Sequence, residues 1–413
     1  YSPRHGVMRP RGLALSLGLL SQAPLLCFGG LNVALHAQSR YTEHGWVAGS
    51  EITTAGLLAA LRAHPSVDHA QVFAPFSYAG LGAVAWDVLI IEGWAGPVPR
   101  VIQRLREASQ YSLLVVHWAL DTYPTLATVR RLDVDAFLTN SRSLASGSLG
   151  RSSASAVSMP TLYLPLAADP AAMQLVEPKR REYAWPVVYL GQASETKHRL
   201  AQILQEVAPL GLAIFGLGWD RFEKGELGQE SPFKTLAECC WKGVLPKDDI
   251  AALYSSASVI LGTTETKQRE LGMVNNRLFE ALAVGGGVFL GDSFPGLDSL
   301  GIAPWALQVH KAPGDAAKLA RHFLSNETAR AEAAAAGRRE VLRAHTYAHR
   351  VDELLPFLTK LKASLKASSE ASSEASSEAS PEASSEAAQS PGRPLVPLVS
   401  GPAERPNRPK LKA

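Results

Sequence analysis

The chain has 413 residues, of which 46% are hydrophobic and 19% charged, and its net charge is +3. This length allows two domains with sizeable cores, and the composition is typical of an α/β enzyme. The small net charge, with no basic run interleaved with aromatic residues, argues against nucleic-acid binding. The three cysteines cannot form a disulfide scaffold or a zinc site, and we expect Cys239 and Cys240 to be buried in a helix.

The N-terminal segment, residues 1–30, has features of a targeting sequence. Arg9 and Arg11 precede an apolar stretch at residues 13–20, as in a signal peptide or a membrane anchor. Polar residues and Pro24 interrupt this stretch and leave it short for a span of about 20 residues. We therefore expect a cytoplasmic protein, with secretion or membrane association through this segment as the alternatives.

From Leu31 onward, predicted strands alternate with predicted helices. Ser50 is a suitable N-cap for the first of these helices. Strands that alternate with helices indicate a parallel sheet covered on both faces, and we assign residues 31–175 to this first domain. The predicted strands are residues 31–37, 70–73, 88–92, 113–117, 136–140 and 161–164, and the predicted helices are residues 51–64 and 98–108.

A charged linker at residues 177–182 leads into a second set of alternating elements, which we assign to a domain of residues 183–361. From residue 362 the composition changes to Ala-Ser-Ser-Glu repeats and a Pro-rich end. This composition cannot form a core, so we predict a disordered tail over residues 362–413. The predicted strands of the second domain are residues 187–190, 213–215, 259–262 and 288–290, and its predicted helices are residues 197–208, 247–256 and 316–358.

The segment of residues 271–294 carries the clearest site pattern. Asn275 or Asn276 can cap a helix that begins at Arg277, and the glycines after Val284 suit its end. A capped helix start offers free N–H groups and a positive dipole end, which favour a bound phosphate. Arg277 and Glu280 are three residues apart and share a face, so the cation could hold a diphosphate and the carboxylate could accept ribose hydroxyls. The plainer alternative is an ordinary αβ unit with a Gly-rich turn.

This segment resembles the donor-site signature of GT-B glycosyltransferases. It is most similar to the CgeB-type proteins of spore maturation, in which an N-N-R-x-F-E-A-x-A-x-G string recurs. Further strings resemble the family in the same order along the chain, so that the resemblance spans about residues 31–361. These strings are residues 135–141, 164–170, 189–199, 215–219, 252–259 and 345–350.

The resemblance implies an α/β protein with two Rossmann-like domains that face each other across a cleft, split near residues 170–182. Residues 340–358 would form a closing helix that returns toward the first domain. The implied activity is metal-independent transfer of a sugar from a nucleotide-diphosphate donor, with uridine diphosphate as the most frequent carrier. The acceptor would be a hydroxyl group on a glycan, a protein or a small molecule. No cofactor is implied beyond the donor itself.

The resemblance also implies roles for individual residues. His117 and Asp121 would be catalytic at the end of a strand, although a buried histidine and a turn-capping aspartate are equally consistent with the pattern. Gly45 and Gly49 would let the acceptor or a phosphate approach the backbone. Donor binding would fall to Gly191, Lys197, Arg199, Gly216, Trp219, Asn275, Asn276, Arg277 and Glu280.

Two departures from the family pattern leave alternatives open. Gln192 stands where relatives often carry arginine, and Gly272 stands where many retaining relatives carry the first of two glutamates. A catalytically inactive GT-B-like module that binds a sugar or a partner is therefore the main rival, and a sugar-nucleotide epimerase is a third reading. Asp133-Val-Asp135 resembles a metal-binding D-x-D, and Gly216-x-Gly218 is a partial dinucleotide fingerprint; in their positions we expect neither a metal site nor a nicotinamide site.

Overall fold

The chain forms two separate parallel β-sheets in a computed structural model, which describes residues 29–37, 49–73, 81–92, 98–109, 112–120, 132–146, 159–193, 198–226 and 231–378. The first sheet has the order β2-β1-β3-β4-β5-β6 in this part of the chain. Its strands are β1 Leu31–His36, β2 Val67–Phe73, β3 Val88–Ile91, β4 Leu114–Ala119, β5 Ala136–Thr139 and β6 Thr161–Tyr163. The second sheet has the order β11-β10-β9-β7-β8. Its strands are β7 Val187–Leu190, β8 Leu212–Phe215, β9 Val259–Leu261, β10 Val288–Asp292 and β11 Gln308–His310.

All strand pairs in both sheets are parallel, as predicted from the alternation of strands and helices. The central strands β3, β4 and β5 are buried along their whole length, which explains their continuous apolar sequences. In both sheets the first strand lies between its next two strands in sequence, so the strand order reverses there. Such a reversal opens a crevice at the carboxyl ends of the strands, where ligands bind in open α/β sheets.

Helices connect the strands and cover the sheets. The α-helices in the described residues are Gly49–Ala63, Val98–Ala108, Arg142–Ala145, His198–Val207, Trp219–Glu223, Pro232–Cys240, Ile250–Ser256, Thr266–Glu270, Asn276–Val284, Asp315–Ser325, Glu327–Ala344 and Tyr347–Glu378. Short 3₁₀ helices occur at Leu81–Ala83, Arg181–Tyr183, Ala208–Leu210, Lys247–Asp249 and Leu297–Leu300.

Within the described residues, no helix combines the length and the apolar character needed to cross a membrane. The segment of residues 1–28 lies outside the described residues, so the targeting features stay a prediction.

Several sequence expectations differ from the structure in detail. The first helix begins at Gly49, so Ser50 lies inside it rather than capping it, and its carbonyl accepts a hydrogen bond from Thr54 Oγ1 at 2.7 Å. The helical run predicted at residues 316–358 is three helices, because Asn326 caps a new helix and His345 ends it. Cys240 is buried as predicted, whereas Cys239 is exposed on the same helix.

The last described helix, Tyr347–Glu378, begins later than the predicted closing helix of residues 340–358 and also ends later. Val351, Leu354 and Leu358 are buried, so tertiary packing stabilises its first turns. The helix continues past residue 362 into the Ala-Ser-Ser-Glu repeats, because a packed helix can extend into a polar sequence at little cost once it is nucleated. The predicted disorder therefore does not begin at residue 362, and residues 379–413 lie outside the described residues.

This closing helix contacts the first half of the chain, as the resemblance implied. The Tyr347 ring packs so tightly on Gly56 that a Cβ there would lie 2.4 Å from the ring. Arg350 is buried and its Nε donates to Pro165 O at 2.8 Å, in the segment that connects the two sheets. His64 Nε2 lies 3.5 Å from an Asp352 carboxylate oxygen. The closing helix therefore joins residues near both sheets into one packed unit.

Candidate functional site

A cavity of about 620 Å³ opens at the carboxyl ends of β7 and β9, where the strand order of the second sheet reverses. Gly191 and Gln192 follow β7 and line one wall, and Thr263 and Thr264 follow β9 and line another. The start of the helix Asn276–Val284, called here the signature helix, completes the site. A cavity of this size can hold a cofactor or a small organic ligand.

The signature helix is capped as the sequence predicted. Asn275 is the N-cap residue, and its side-chain oxygen accepts a hydrogen bond from the Arg277 backbone N–H at 3.0 Å. The helix ends at Gly285, whose φ of 68° suits glycine. Asn275, Asn276, Arg277 and Glu280 all line the cavity, so the positive end of the helix faces the enclosed space.

Arg277 lies between the signature helix and the loop after β7. Its guanidinium carbon is 5.0 Å from the centroid of the Tyr189 ring, a cation–π contact that orients the side chain. A Cβ built on Gly191 would lie 2.8 Å from Arg277 Nη2. Any larger residue at position 191 would require the Arg277 side chain to shift, and the predicted pair of glycine loop and cation is brought together.

Glu280 lies at the buried end of the same cavity, with only 4% of its surface exposed. Asn276 Nδ2 donates a hydrogen bond to Glu280 Oε1 at 2.8 Å. Burial raises the pKa of Glu280 to about 7, although the Arg277 charge and the Asn276 hydrogen bond both lower it. Near neutral pH this carboxyl can therefore both donate and accept hydrogen bonds, which suits contact with ligand hydroxyls.

The glycine loops around the cavity are held by close backbone contacts. Gly216 has a φ of 140°, and a Cβ there would lie 2.2 Å from the backbone oxygen of Gly191, so the two loops approach this closely only with glycine at position 216. Trp219 is fully buried, and its Nε1 donates to Gly191 O at 2.8 Å. The structure thus places Trp219 behind the loop, where it supports Gly191, rather than at the cavity surface.

Arg199 lines the cavity from the first turn of the helix His198–Val207. Its side chain is 31% exposed, and its Nε lies 3.4 Å from Oδ2 of the buried Asp292. Arg199 and Arg277 are thus two predicted cations that the fold brings to one cavity. Lys197, the third, lies outside the described residues.

The first sheet contributes to the cavity mainly through the start of the helix Gly49–Ala63. Gly49 lines the cavity, and its carbonyl oxygen accepts a hydrogen bond from Asn276 Nδ2 at 3.3 Å. His117 is fully buried on β4 against Phe137, and burial lowers its pKa to about 3. In the described part of the chain His117 is not among the residues that line this cavity. Gly45 and Asp121 lie outside the described residues.

Part of the cavity wall was not predicted from the sequence. The segment Thr263–Gln268 lines the cavity directly after β9, and Tyr189 and Tyr254 lie at its base. The sequence did contain a signal for the segment after β9. A strand that ends near Gly262 was predicted, and strand ends next to a reversal of strand order form ligand sites. The tyrosines carried no such signal, since aromatic residues at these positions are typical of a core.

The two departures from the family pattern have different structural settings. Gly272 has a φ of 64°, and a Cβ there would lie 2.6 Å from Pro295 O, so a glutamate could not occupy this position without a shift of the backbone. Gln192 lines the cavity, where a longer cation would reach the enclosed space. The backbone at Gly272, and not merely its side chain, therefore differs from what a glutamate requires.

The Asp133-Val-Asp135 string takes part in an ion-pair cluster. Arg106 Nη2 donates to Asp135 Oδ2 at 3.0 Å, and Arg106 Nε lies 3.2 Å from Asp133 Oδ2. Asp135 also accepts a hydrogen bond from the Val115 backbone N–H at 2.7 Å. Both carboxylates thus anchor the start of β5 to the helix Val98–Ala108.

Residues 196–356 match a protein-family model described as glycosyl transferase-like. No curated protein sequence matches the chain. Several solved structures match it. A sucrose-phosphate synthase from Thermosynechococcus elongatus has a TM-score of 0.57 and 15% identity over 81% of this chain and 100% of that one. The Anabaena protein HepE, solved with UDP and glucose, has a TM-score of 0.53 and 14% identity over 80% of this chain and 99% of that one. An α-glucosyltransferase, solved with UDP and a 13-mer DNA, has a TM-score of 0.56 and 10% identity over 80% of this chain and 100% of that one.

At these identities the structural matches establish the fold, and the family match begins after β7 and covers residues 196–356, which include β8 to β11. The two parallel sheets agree with the structural matches. The chain therefore has the GT-B fold, with a second half that is similar to the glycosyl transferase-like family.

Proposed function

We propose that this protein transfers a sugar from a nucleotide-diphosphate donor to a hydroxyl acceptor, with uridine diphosphate as the carrier. One observation carries the proposal: Arg277 and Glu280 project from the capped start of one helix into a cavity of about 620 Å³, opposite Gly191. The similar structures solved with UDP have the same fold and support the choice of carrier. The string around Asn275 and Asn276 further supports a CgeB-type subfamily.

In the proposed reaction, the bond between the anomeric carbon and the diphosphate oxygen breaks while the acceptor oxygen bonds to that carbon. Negative charge grows on the departing diphosphate. Arg277, Arg199 and the N–H groups at the start of the signature helix stabilise this charge, so the reaction needs no metal ion. Glu280 accepts hydrogen bonds from the ribose hydroxyls at the buried end of the cavity. We propose Asp121 as the base that takes the acceptor proton, with His117, which precedes it in the sequence, as a supporting residue.

A second candidate is a GT-B-like module that binds a nucleotide sugar or a partner without turnover. The conformation of Gly272 favours it, because this backbone excludes the glutamate that many retaining relatives carry there. The same observation is compatible with a transferase that handles the donor sugar through other residues of the segment Thr263–Gln268. Donor hydrolysis or transfer separates the two candidates, whereas donor binding alone does not.

The test is titration calorimetry of the full chain with UDP-, GDP-, ADP- and TDP-sugars, each with and without EDTA. We expect UDP-sugars to bind best, with an affinity that EDTA does not change. Absence of binding by every donor would end the proposal. Binding followed by slow release of UDP, measured with a panel of hydroxyl acceptors, is expected for the enzyme; binding with no UDP release from any acceptor or from water would favour the inactive module.

We also propose a cytoplasmic location, with secretion or membrane association through residues 1–30 as the alternatives. The pattern of Arg9, Arg11 and the apolar residues 13–20 motivates the alternatives. Fractionation of cells that express the full chain, compared with a variant lacking residues 1–30, distinguishes them. An equal soluble fraction for both proteins would support the cytoplasmic proposal. If the full chain is found in the membrane fraction and the shortened variant in the soluble fraction, the proposal is contradicted.

A further inference from the structure

A buried carboxylate lies behind one of the cavity cations. Asp292 is the last residue of β10, and its side chain is 2% exposed. Its Oδ2 is 3.4 Å from Arg199 Nε and 3.9 Å from Arg269 Nε. The side chains of the two arginines are 31% and 28% exposed. A single buried acid thus contacts two cations that reach it from two different helices.

Stability gives little reason for an acid at this position. Removing a carboxylate from water is costly, and a buried ion pair often contributes no more than an apolar replacement would. The contacts of Asp292 go to a single nitrogen of each arginine and are not the paired, fork-like contacts that make such interactions strong. Conformational control of a neighbouring group is the better-supported use of such an acid.

The two arginines differ in what they face. Arg199 lines the cavity together with Gly191 and Arg277, whereas in the described residues Arg269 is not part of the cavity lining. Contact with Asp292 Oδ2 through Nε restrains the plane of the Arg199 guanidinium, whose two terminal nitrogens are Nη1 and Nη2. These terminal nitrogens can donate two parallel hydrogen bonds to a phosphate, which a lysine cannot do.

We propose that Asp292 is a positioning residue that orients the Arg199 guanidinium toward the diphosphate of the nucleotide donor. Asp292 itself contacts no part of the donor and acts only through Arg199. This proposal rests on the proposed function, since it requires the cavity to hold a nucleotide diphosphate. It explains why a charged side chain is kept at the end of a buried strand, beside the cation that faces the cavity.

The experiment measures the affinity of the full chain for UDP and for uridine by calorimetry. Asp292→Asn keeps the shape and an acceptor oxygen but removes the charge. We expect UDP affinity to fall about tenfold, as when the outer hydrogen-bond partners of metal ligands are removed, with uridine affinity unchanged. Arg199→Ala should lose at least as much, and the double variant should lose no more than Arg199→Ala alone. Equal losses for UDP and uridine, or additive losses in the double variant, would overturn the proposal.

Two further variants guard against misfolding of the Asp292 variant. Arg199→Lys keeps the charge on a half-exposed side chain but lacks Nε, so UDP affinity should fall nearly as far as in Arg199→Ala; near-wild-type affinity would contradict the orienting role. Arg269→Ala is the matched control, because it removes the other partner of Asp292 and should change UDP affinity less than twofold. If the wild-type protein binds no nucleotide, the proposed function fails first. If Arg199→Ala binds UDP normally, only the present proposal fails.

Discussion

The two sides of the cavity differ in the kind of chemistry they contribute. The side built on the second sheet supplies Arg199, Arg277 and Glu280, all held by neighbouring side chains. In the described residues, the side built on the first sheet supplies uncharged lining residues, among them Gly49, Ser50, Ile52, Thr53 and Leu120. Its titratable residues at the strand ends, His36, Glu92 and His117, are buried.

This difference indicates a division of labour. Charge that must be present before a reaction starts is placed on a rigid, capped helix and its adjoining strand ends, where it needs no reorganisation. A side that meets varied acceptors can work with backbone and small side chains, on loops that change readily. The following predictions test whether the charged chemistry is confined to the second-sheet side.

The largest effect is expected for Arg277→Ala. Loss of one preorganised charge donor should remove ~2–4 kcal/mol of transition-state stabilisation, read as a fall in kcat/KM for a donor that is turned over. The melting temperature should change little, because Arg277 lines a cavity and is only partly buried. Arg142→Ala, a change at an exposed arginine, serves as the control. An unchanged kcat/KM would remove Arg277 from the donor site.

Glu280→Gln should separate stability from binding. The pKa of Glu280 is raised by burial from 4.5 to about 7, so its protonated form favours the fold below pH 4.5 and this contribution is lost as the pH rises through 7. Glutamine does not ionise, so the variant should equal wild type near pH 4.5 and exceed it by up to about 3 kcal/mol at pH 8. Urea unfolding at both pH values measures this, with Glu270→Gln as an exposed control.

The same variant should bind nucleotide less tightly than wild type at pH 8, and its kcat should change less than its donor affinity. Wild-type affinity should rise between pH 6 and pH 8, because ionised Glu280 accepts hydroxyl hydrogen bonds better and binding then releases a proton. A flat pH profile for wild type would mean that Glu280 does not contact the ligand.

A smaller effect is expected where the two sides meet. Asn140 is buried, and its Nδ2 donates to Leu120 O at 3.0 Å and to Val274 O at 3.3 Å, just before the signature helix. Asn140→Ala leaves both carbonyls without this donor, which should cost about 1–3 kcal/mol of stability. Urea unfolding with and without UDP measures the loss. Arg142→Ala removes an exposed contact to Ser299 O at 3.4 Å and the contact of the guanidinium with the Tyr163 ring, and it should cost less stability than Asn140→Ala. Equal losses in both variants would show that the buried contact is not special.

The smallest effect on catalysis is expected for His117→Gln. A buried imidazole whose pKa burial lowers to about 3 is neutral at working pH, so its loss should leave the shape of the pH–rate profile between pH 5 and pH 9 unchanged. Stability should fall instead, because the imidazole packs against the Phe137 ring, with 5.7 Å between the ring centroids. A lost limb in the pH–rate profile would show that the first-sheet side also carries acid–base chemistry and would break the comparison.

The sequence by itself determined much of this protein. The alternation of apolar strands and helices predicted two parallel sheets, and strands such as Val187–Leu190 were predicted with their observed bounds. The caps of the signature helix were also readable, because Asn275 and Gly285 satisfy local geometry that depends on few neighbours. Local rules of this kind need no knowledge of the remaining chain.

Tertiary structure alone decided how each polar residue is used. His117 and Trp219 are buried, Asp133 and Asp135 pair with Arg106, and Asp292 lies behind Arg199. No local pattern distinguishes these roles, since burial and charge pairing depend on residues far apart in the chain that packing brings within hydrogen-bond distance. The helix past residue 362 has the same cause, because packing of its first turns stabilises a continuation that the composition of the repeats does not indicate.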